Sequence, residues 1–372
     1  MRIAIDARAV LWTGIATYVK NLLRQYVRLS SGHEFTVLIP DEWEKEARVS
    51  LGALSDQFHL IPVDASYYSW REQTFFLKQL YDLDVDLVHF THFNVPLGYR
   101  RPYVVTIHDA TRFIFPGQKH QSLFKQVMYE AVFSHALRHA REVIFVTSHT
   151  RTEVGTLPVP QPQHATVIHE GVEDHFFDPV QQLQRQKVRS LIGTPDPYLL
   201  YVGVWMSHKN IRRILEAFKN LILEYPDLKL VITGKPVPGY TNALQYSREL
   251  SITDRVIFPG YVPQELLPAL YAEATCFVFP SLYEGFGLPP LEAAACGTPV
   301  VAANVSSLPE VLGQAAEYVN PESVSSIEGG IRRLLKEDNM WQQRVTQGKA
   351  QAAMFSWEEA ARKHLQLYED VK

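Results

Sequence analysis

Short apolar runs rich in β-branched residues alternate with amphipathic stretches along the whole 372-residue chain. In the first half the runs are Ile3–Ala7, Phe35–Pro40, His59–Pro62, Asp86–Phe90, Val104–Ile107, Val143–Val146 and Ala165–Ile168. In the second they are Tyr198–Gly203, Lys229–Thr233, Val256–Pro259, Cys276–Phe279, Pro299–Ala303 and Glu317–Val319. Several, such as Cys276–Phe279, are apolar throughout rather than alternating. That marks strands covered on both faces by helices, and hence parallel sheets. Apolar spacing near 3.6 predicts helices over Ile15–Leu29, Ser122–Ala140, Ile211–Leu223, Gln264–Ala274 and Leu288–Cys296. The alternation predicts an α/β protein of doubly wound, Rossmann-like domains. Its ligand is expected in a cleft at the carboxyl ends of the strands.

The length predicts two such domains. The richest linker composition lies between Asp174 and Pro197, where a Gln-rich run is flanked by Asp178–Pro179 and Pro195–Asp196–Pro197. The expected boundary is near Asp178–Gln181, giving domains 1–178 and 179–356. The chain beyond is helical: Met340–Met354, then Ser356 as N-cap with Glu359 three residues on, a capping-box pattern.

Hydrophobic residues make up 46% and charged residues 20%, enough apolar material for two cores. A net charge of −4, evenly shared between the halves, excludes a dedicated nucleic-acid binder. Two cysteines, Cys276 and Cys296, make no disulfide framework and read as buried, reduced thiols. The N-terminal MRIAIDARAV lacks the apolar core of an export signal, and no stretch has the roughly 20 apolar residues of a membrane span. The expected location is the cytoplasm, at most on a membrane surface.

The most informative chemistry lies between Phe279 and Leu312. A strand runs into a polar loop, and Pro289–Pro290 stand where a helix begins, a position proline tolerates. Gly287 and Leu288 would present backbone N–H groups at that helix end, a place for an anion such as phosphate. Gly285 and Gly287 allow close backbone approach. Glu284 lies in the loop and Glu292 in the early helix. Either glutamate alone reads more simply as a surface charge or a group favoured by the helix dipole. Elsewhere, His108–Asp109 close the run at Val104–Ile107, Gly14 precedes the helix at Ile15, and Lys209 lies between the strand ending at Gly203 and the helix at Ile211. A lysine there can neutralise charge growing on a leaving phosphate, although an isolated lysine is more often a solvated one. The dinucleotide fingerprint G-x-G-x-x-G is absent.

The segment EGFGLPPLE, with EAAACGTPVV and SSLPE after it, resembles the donor signature of the retaining glycosyltransferases of family 4, which have the two-domain GT-B fold. Their Glu-x7-Glu motif matches Glu284 and Glu292. Weaker matches fall in order along nearly the whole chain: Gly14, His108–Asp109, the HEGVE stretch at the domain junction, and Gly203 followed by Lys209–Asn210. The mannosyltransferase-like branch is the most similar. The resemblance implies that Lys209 and the end at Gly287–Leu288 hold the donor diphosphate, with Gly14, Gly203, Gly285 and Phe286 beside it. Glu284 would bind the donor sugar, Glu292 the ribose, and Tyr261–Val262 the base. His108 would touch the transferred sugar and Asp109 orient its loop. His208 and Val204 stand where the family usually has arginines. The last helix, 357–372, would pack back on the first domain.

Other patterns carry less. Asp82, Asp84 and Asp86 form overlapping D-x-D triplets, but they precede a strand and read as a turn cap, not a metal site. His89 and His92 are expected to line the acceptor side. The helix from Ser122, with Lys125, Arg138 and Arg141, could lie on an anionic membrane, though packing on its own sheet is the simpler reading. The expected activity is transfer of a hexose, best mannose from GDP-mannose, to a glycan or polyprenyl-linked saccharide. Catalysis would rest on His108, Lys209 and Glu284, with no metal or other cofactor. Acceptor choice would fall to loops such as Tyr67–Gln73 and Thr111–Gln121. A nucleotide-sugar epimerase and a non-catalytic nucleotide-sugar-binding protein are the alternatives.

Overall fold

A computed structural model of the chain describes all residues except 13, 30–31, 53, 55–56, 116–122, 235–241 and 372, and leaves aside the side chains of 123–125. The chain divides into two compact units. The first comprises Met1–Phe113, His120–Gly171 and Ser356–Lys372; the second comprises Ile114–Lys119 and Val172–Phe355. The change of unit at Gly171–Val172 falls ahead of Asp178–Gln181. The Gln-rich stretch that looked like a linker is the start of a helix, Gln182–Ile192, closed by Gly193 in the left-handed region at φ 71°. Its Val188 and Ile192 are buried one turn apart.

In the first unit the strands are β1 (Arg2–Asp6), β2 (Glu34–Pro40), β3 (Phe58–Val63), β4 (Leu87–Phe90), β5 (Tyr103–Ile107), β6 (Glu142–Phe145) and β7 (Ala165–Val167). They form one sheet in the order β3-β2-β1-β4-β5-β6-β7, and every pairing is parallel. All residues of β4 and β5 are buried, as strands covered on both faces require. Strand order reverses between β1 and β4, which lie in register with Asp6 beside Phe90. Chains leaving these two strands diverge there, and an open α/β sheet leaves a crevice at such a point.

Helix Ile15–Leu29 packs on the C-terminal helix Trp357–Asp370. Buried polar groups seam them to the sheet. The Tyr18 hydroxyl lies 2.8 Å from Thr106 Oγ1 and 2.7 Å from His364 Nε2. His89 reaches Thr106 Oγ1 at 2.8 Å and the Tyr368 hydroxyl at 2.6 Å, and Tyr368 meets Tyr26 at 2.9 Å. His89 is therefore wholly enclosed and lines no acceptor surface, contrary to expectation. Its strand is central, so its side chain faces a covering helix. Ser356 Oγ caps the last helix by accepting from the N–H groups of Glu358 and Glu359. Glu359 turns its carboxylate to Lys363 at 3.5 Å rather than back to the cap.

Helix Leu123–His139 puts Tyr129, Val132, Phe133, Ala136 and Leu137 into the core of the first unit. The apolar face a membrane would use is thus spent on the sheet; Phe124 and Lys125 lie outside the described side chains. Among the described residues no helix is long and apolar enough to cross a membrane. Asp84 pairs with Arg2, and Asp86 accepts the Arg2 backbone N–H at 2.8 Å. These carboxylates fasten the start of β1 instead of capping a turn.

The second unit contains β8 (Tyr198–Val202), β9 (Lys229–Thr233), β10 (Val256–Ile257), β11 (Cys276–Phe279), β12 (Val300–Ala303) and β13 (Ala316–Val319). Their order is β10-β9-β8-β11-β12-β13, again all parallel, and the reversal falls between β8 and β11. Both cysteines are free thiols, Cys276 buried and Cys296 partly so.

Candidate active site

In the second unit the chemistry collects where β8 and β11 part. After β8 a 3-10 turn, Ser207–Lys209, leads to Asn210, held in the left-handed region at φ 61°. Asparagine tolerates that backbone better than most residues. Its side-chain N–H2 donates to the carbonyls of Pro280 (2.9 Å) and Pro321 (2.7 Å), and its Oδ1 accepts from Arg213 Nη1 at 2.9 Å. The Leu282 N–H donates to the His208 carbonyl at 2.7 Å. The loops after β8 and β11 are thereby laced together.

This lacing sets Lys209 against Glu284. Lys209 Nζ lies 2.7 Å from both Glu284 carboxylate oxygens, with the side chains only 15% and 10% exposed. The same ammonium stands 5.6 Å from the centre of the Phe279 ring. The Glu284 loop is strapped from behind. The Glu284 N–H donates to Ser306 Oγ at 3.1 Å, and Ser307 Oγ donates to the carbonyls of Glu284 and Phe286, each at 3.0 Å.

Gly287 caps helix Leu288–Ala295 with φ 104°, and a Cβ there would stand 2.8 Å from Leu308 Cδ2. Pro289 and Pro290 carry no N–H, so the donors of this first turn reduce to Gly287 and Leu288. Phe286 is buried with its ring on Phe355, and Leu288 is buried beside it. The Glu292 carboxylate accepts from the Tyr271 hydroxyl at 2.9 Å. Burial pushes Glu292 up to about 7, a rise that the Tyr271 bond opposes and nearby Glu173 reinforces.

The other side of β8 is lined by glycine backbone. Gly203 follows β8, Gly234 follows β9 and Gly260 follows the β10 strand region. A Cβ on Gly234 would come within 2.0 Å of the Gly203 carbonyl oxygen, and φ there is 121°. Thr233 Oγ1 and the Gly234 N–H both donate to the Gly260 carbonyl. Tyr261 next to it is 69% exposed, whereas Val262 is buried.

In the first unit Gly14 has φ 65° and open space where a Cβ would be, at the start of helix Ile15–Leu29. His108 follows β5. Its Nε2 donates to the Thr91 carbonyl at 2.9 Å and its Nδ1 meets Glu170 Oε1 at 3.0 Å. Both ring nitrogens are engaged, so a sugar hydroxyl would have to displace one of these oxygens. Asp109 Oδ1 accepts the Thr111 N–H at 2.7 Å, which shapes the loop after His108. His208 is buried, and the Val204 carbonyl accepts from the Tyr201 hydroxyl at 3.1 Å.

Comparison with known proteins gives this arrangement a lineage. Residues 12–176 match the family described as Glycosyltransferase Family 4, and residues 183–351 match Glycosyl transferases group 1. The O-antigen chain mannosyltransferase B of Escherichia coli is 32% identical over 306 residues, covering 80% of this chain and 77% of that one. The chain belongs to glycosyltransferase family 4. A serotype-specific mannosyltransferase WbdA from Escherichia coli is 30% identical over 238 residues, and the match spans 28% of its length. The crystal structure of Anabaena HepE in complex with UDP-glucose is similar across 100% of both chains, with a TM-score of 0.79 and 17% identity. The fold of this family 4 glycosyltransferase is thus GT-B, two parallel-sheet Rossmann-like domains.

Reading the sequence of this glycosyltransferase missed the residues that hold others. Glu170, Asn210, Ser306 and Ser307 fall within the matched HEGVE, Lys209–Asn210 and SSLPE stretches, but neither they nor Gly234 carry a role of their own there. Glycine at the exit of neighbouring strands was the available signal for Gly234. The others act across 21 to 111 residues of chain, so what each of them holds leaves no local pattern.

Proposed function

We propose that this glycosyltransferase transfers mannose from GDP-mannose, with retention of the anomeric configuration, to a saccharide acceptor. The mutual pairing of Lys209 and Glu284 at the β8/β11 divergence carries the reading. Before donor binds, each neutralises the other. When donor binds, the carboxylate can turn to sugar hydroxyls and the ammonium to the diphosphate, where charge develops as the glycosidic bond breaks. Electrostatic stabilisation of that leaving group is worth several kcal/mol in a site poor in water. The N–H groups of Gly287 and Leu288, at the positive end of helix Leu288–Ala295, add to it.

Lysine and helix end thus supply positive charge of the kind a divalent ion would bring, so the reaction is proposed to proceed without metal. Acceptor hydroxyl and leaving phosphate would share one face of the sugar, which preserves configuration. His108, held by Thr91 and Glu170, is proposed to place the transferred sugar. Glu292 is proposed to take the ribose hydroxyls, and Tyr261–Val262 to flank the base. The relatives named as mannosyltransferases favour mannose over other hexoses.

The test is a transfer assay with purified protein, radiolabelled nucleotide sugars and a panel of mannose-terminated oligosaccharides. Expected are product only from GDP-mannose, an α-linkage by NMR, and unchanged turnover in EDTA. Turnover from UDP-glucose alone, or a β-linked product, would refute the donor or the stereochemistry respectively.

A further inference from the structure

Within the second unit, Glu292 has one carboxylate oxygen spent and one to give. Oε2 accepts from the Tyr271 hydroxyl at 2.9 Å. Oε1 has no hydrogen-bond partner among the described residues, yet it is not one of the sealed polar atoms. The open edge of this half-buried side chain is therefore Oε1.

The donor of that bond has no freedom to move. Tyr271 is completely buried at the end of helix Leu267–Ala272. Its ring meets Phe277 of β11 edge-on at 5.4 Å and Phe176 at 6.0 Å. The Tyr271 carbonyl accepts from Thr298 Oγ1 at 2.6 Å, and the Leu270 carbonyl from the Tyr198 hydroxyl at 2.7 Å. The Thr298 N–H in turn donates to the carbonyl of Ala293, the neighbour of Glu292. Thr298 thus ties together the backbone that carries the hydroxyl and the backbone that carries the carboxylate. Packing of this kind locks a rotamer, which is how functional groups are held in a productive geometry.

A tyrosine with a purely structural role needs some acceptor for its hydroxyl, and a backbone carbonyl serves, as it does for Tyr198. The acceptor of Tyr271 is instead an ionisable side chain with a free edge. The surroundings otherwise oppose the charge of that group. Burial raises Glu292, and Glu173 reinforces the rise. Cys296, one turn on, is a thiol that burial keeps protonated, and the cation of Lys349 acts on Cys296. The Tyr271 bond works the other way, because a donor favours the ionised carboxylate.

We propose that Tyr271 is a positioning residue of this transferase: it holds Glu292 Oε2 so that Oε1 is presented to the adjacent hydroxyls of the nucleotide ribose. The inference rests on the reading of Glu292 as the ribose-binding residue. Tyr271 itself touches no substrate and acts through the carboxylate alone.

Calorimetric titration of the full chain between pH 6 and 8.5 tests it. The ligands are GDP or UDP, whichever the wild type binds more tightly, and the 2′,3′-dideoxy form of the same nucleotide. The proteins are wild type, Tyr271→Phe, Glu292→Gln and the double variant. Expected for Tyr271→Phe is an affinity about tenfold weaker near neutral pH, the worth of one hydrogen bond to a charged group. Its rise of affinity with pH should be displaced to higher pH, since the bond that favoured ionisation is gone. The preference for the ribonucleotide over the dideoxy form should shrink by the same factor. With Gln at 292, loss of the Tyr271 hydroxyl should change affinity by about twofold or less. Wild-type affinity and pH slope in Tyr271→Phe would overturn the inference. So would the same tenfold loss with and without Glu292, the mark of a general loosening of the core. If Glu292→Gln binds both nucleotides as the wild type does, or the wild type binds neither, the ribose reading itself fails and the role of Tyr271 with it. If Glu292→Gln loses affinity and Tyr271→Phe does not, the ribose reading stands and the role of Tyr271 alone is lost.

Discussion

The Lys209 ammonium touches both carboxylate oxygens of Glu284, at 2.7 Å each, in a pocket where neither side chain is more than 15% exposed. Removing one partner strands the other charge in a place poor in water. Lys209→Ala and Glu284→Ala are each expected to lower stability by about 1–3 kcal/mol. The double variant should be less destabilised than the two effects added, with a coupling of about 0.5–3 kcal/mol. Urea denaturation of the four proteins measures this. In transfer assays each single variant should lose about 10²–10³ in kcat, since the pair serves the developing charge. Strict additivity in stability would show the two side chains to be independent.

Glu292 is a carboxyl whose ionisation falls in the working range, with burial pushing it up to about 7. If ribose hydroxyls donate to it, the ionised form is the stronger acceptor. GDP-mannose affinity should therefore rise as pH increases from 6 to 8. In Glu292→Gln the affinity should be weaker throughout and flat with pH. Calorimetric titration at several pH values is the measurement, and an unchanged slope in Glu292→Gln would remove the residue from donor binding.

Gly234 has no room for a side chain. A Cβ would lie 2.0 Å from the Gly203 carbonyl oxygen, at a φ of 121°. Gly234→Ala is expected to cost about 2–4 kcal/mol through backbone strain and displacement of the β8 exit. The same shift should raise KM for donor more than it lowers kcat. Gly14→Ala meets open space and serves as the comparison, limited to the smaller cost of its positive φ. Equal thermal melts for the two variants would contradict this ranking.

Histidines buried in neutral form make the first unit acid-sensitive. Burial lowers His364 to about 4 and His92 to about 3, against an ordinary value of 6.5. Above pH 6.5 both folded and unfolded chains hold these rings neutral. Below it the unfolded chain takes up protons that the folded chain refuses, so stability falls from about pH 6.5 and levels only near pH 4 for His364. Each pKa unit is worth about 1.4 kcal/mol, so His364 alone accounts for a loss on the order of 3 kcal/mol. Chemical denaturation between pH 7.5 and 4.5 should show this slope, and His364→Gln should flatten it.

Tyr368 joins the seam at two points, 2.6 Å from His89 Nδ1 and 2.9 Å from the Tyr26 hydroxyl. Tyr368→Phe keeps the ring but leaves both partners unsatisfied in the core, at a cost of about 1–3 kcal/mol. A melting temperature within a degree of wild type would mean that water or a rearranged neighbour replaces the hydroxyl.

The fold was legible because parallel strands write themselves locally. Runs such as Lys229–Thr233 and Cys276–Phe279 have their observed bounds in the sequence, since both faces are apolar and glycine or proline stands at their edges. Helix Gln182–Ile192 was hidden because its buried side reduces to Val188 and Ile192 among glutamines and arginines. At the site, the polar residues ending β8 and β11 stood out against apolar strands. What could not be seen was which of them would touch. The Lys209–Glu284 contact spans 75 residues, and Asn210 fixes it through carbonyls of two prolines that have no side-chain signature.

The first unit borrows residues from beyond the second, and this has a consequence for biosynthesis. Translation delivers Val172–Phe355 before Ser356–Lys372. Until that final stretch is made, Tyr26, His89 and Thr106 face an empty groove in the nascent first unit, while the second can already close its own core. The order of maturation is therefore the reverse of the order of synthesis. Chains stalled between residues 172 and 356 would be half-finished at their beginning rather than at their end, and those are the intermediates on which chaperones should be found.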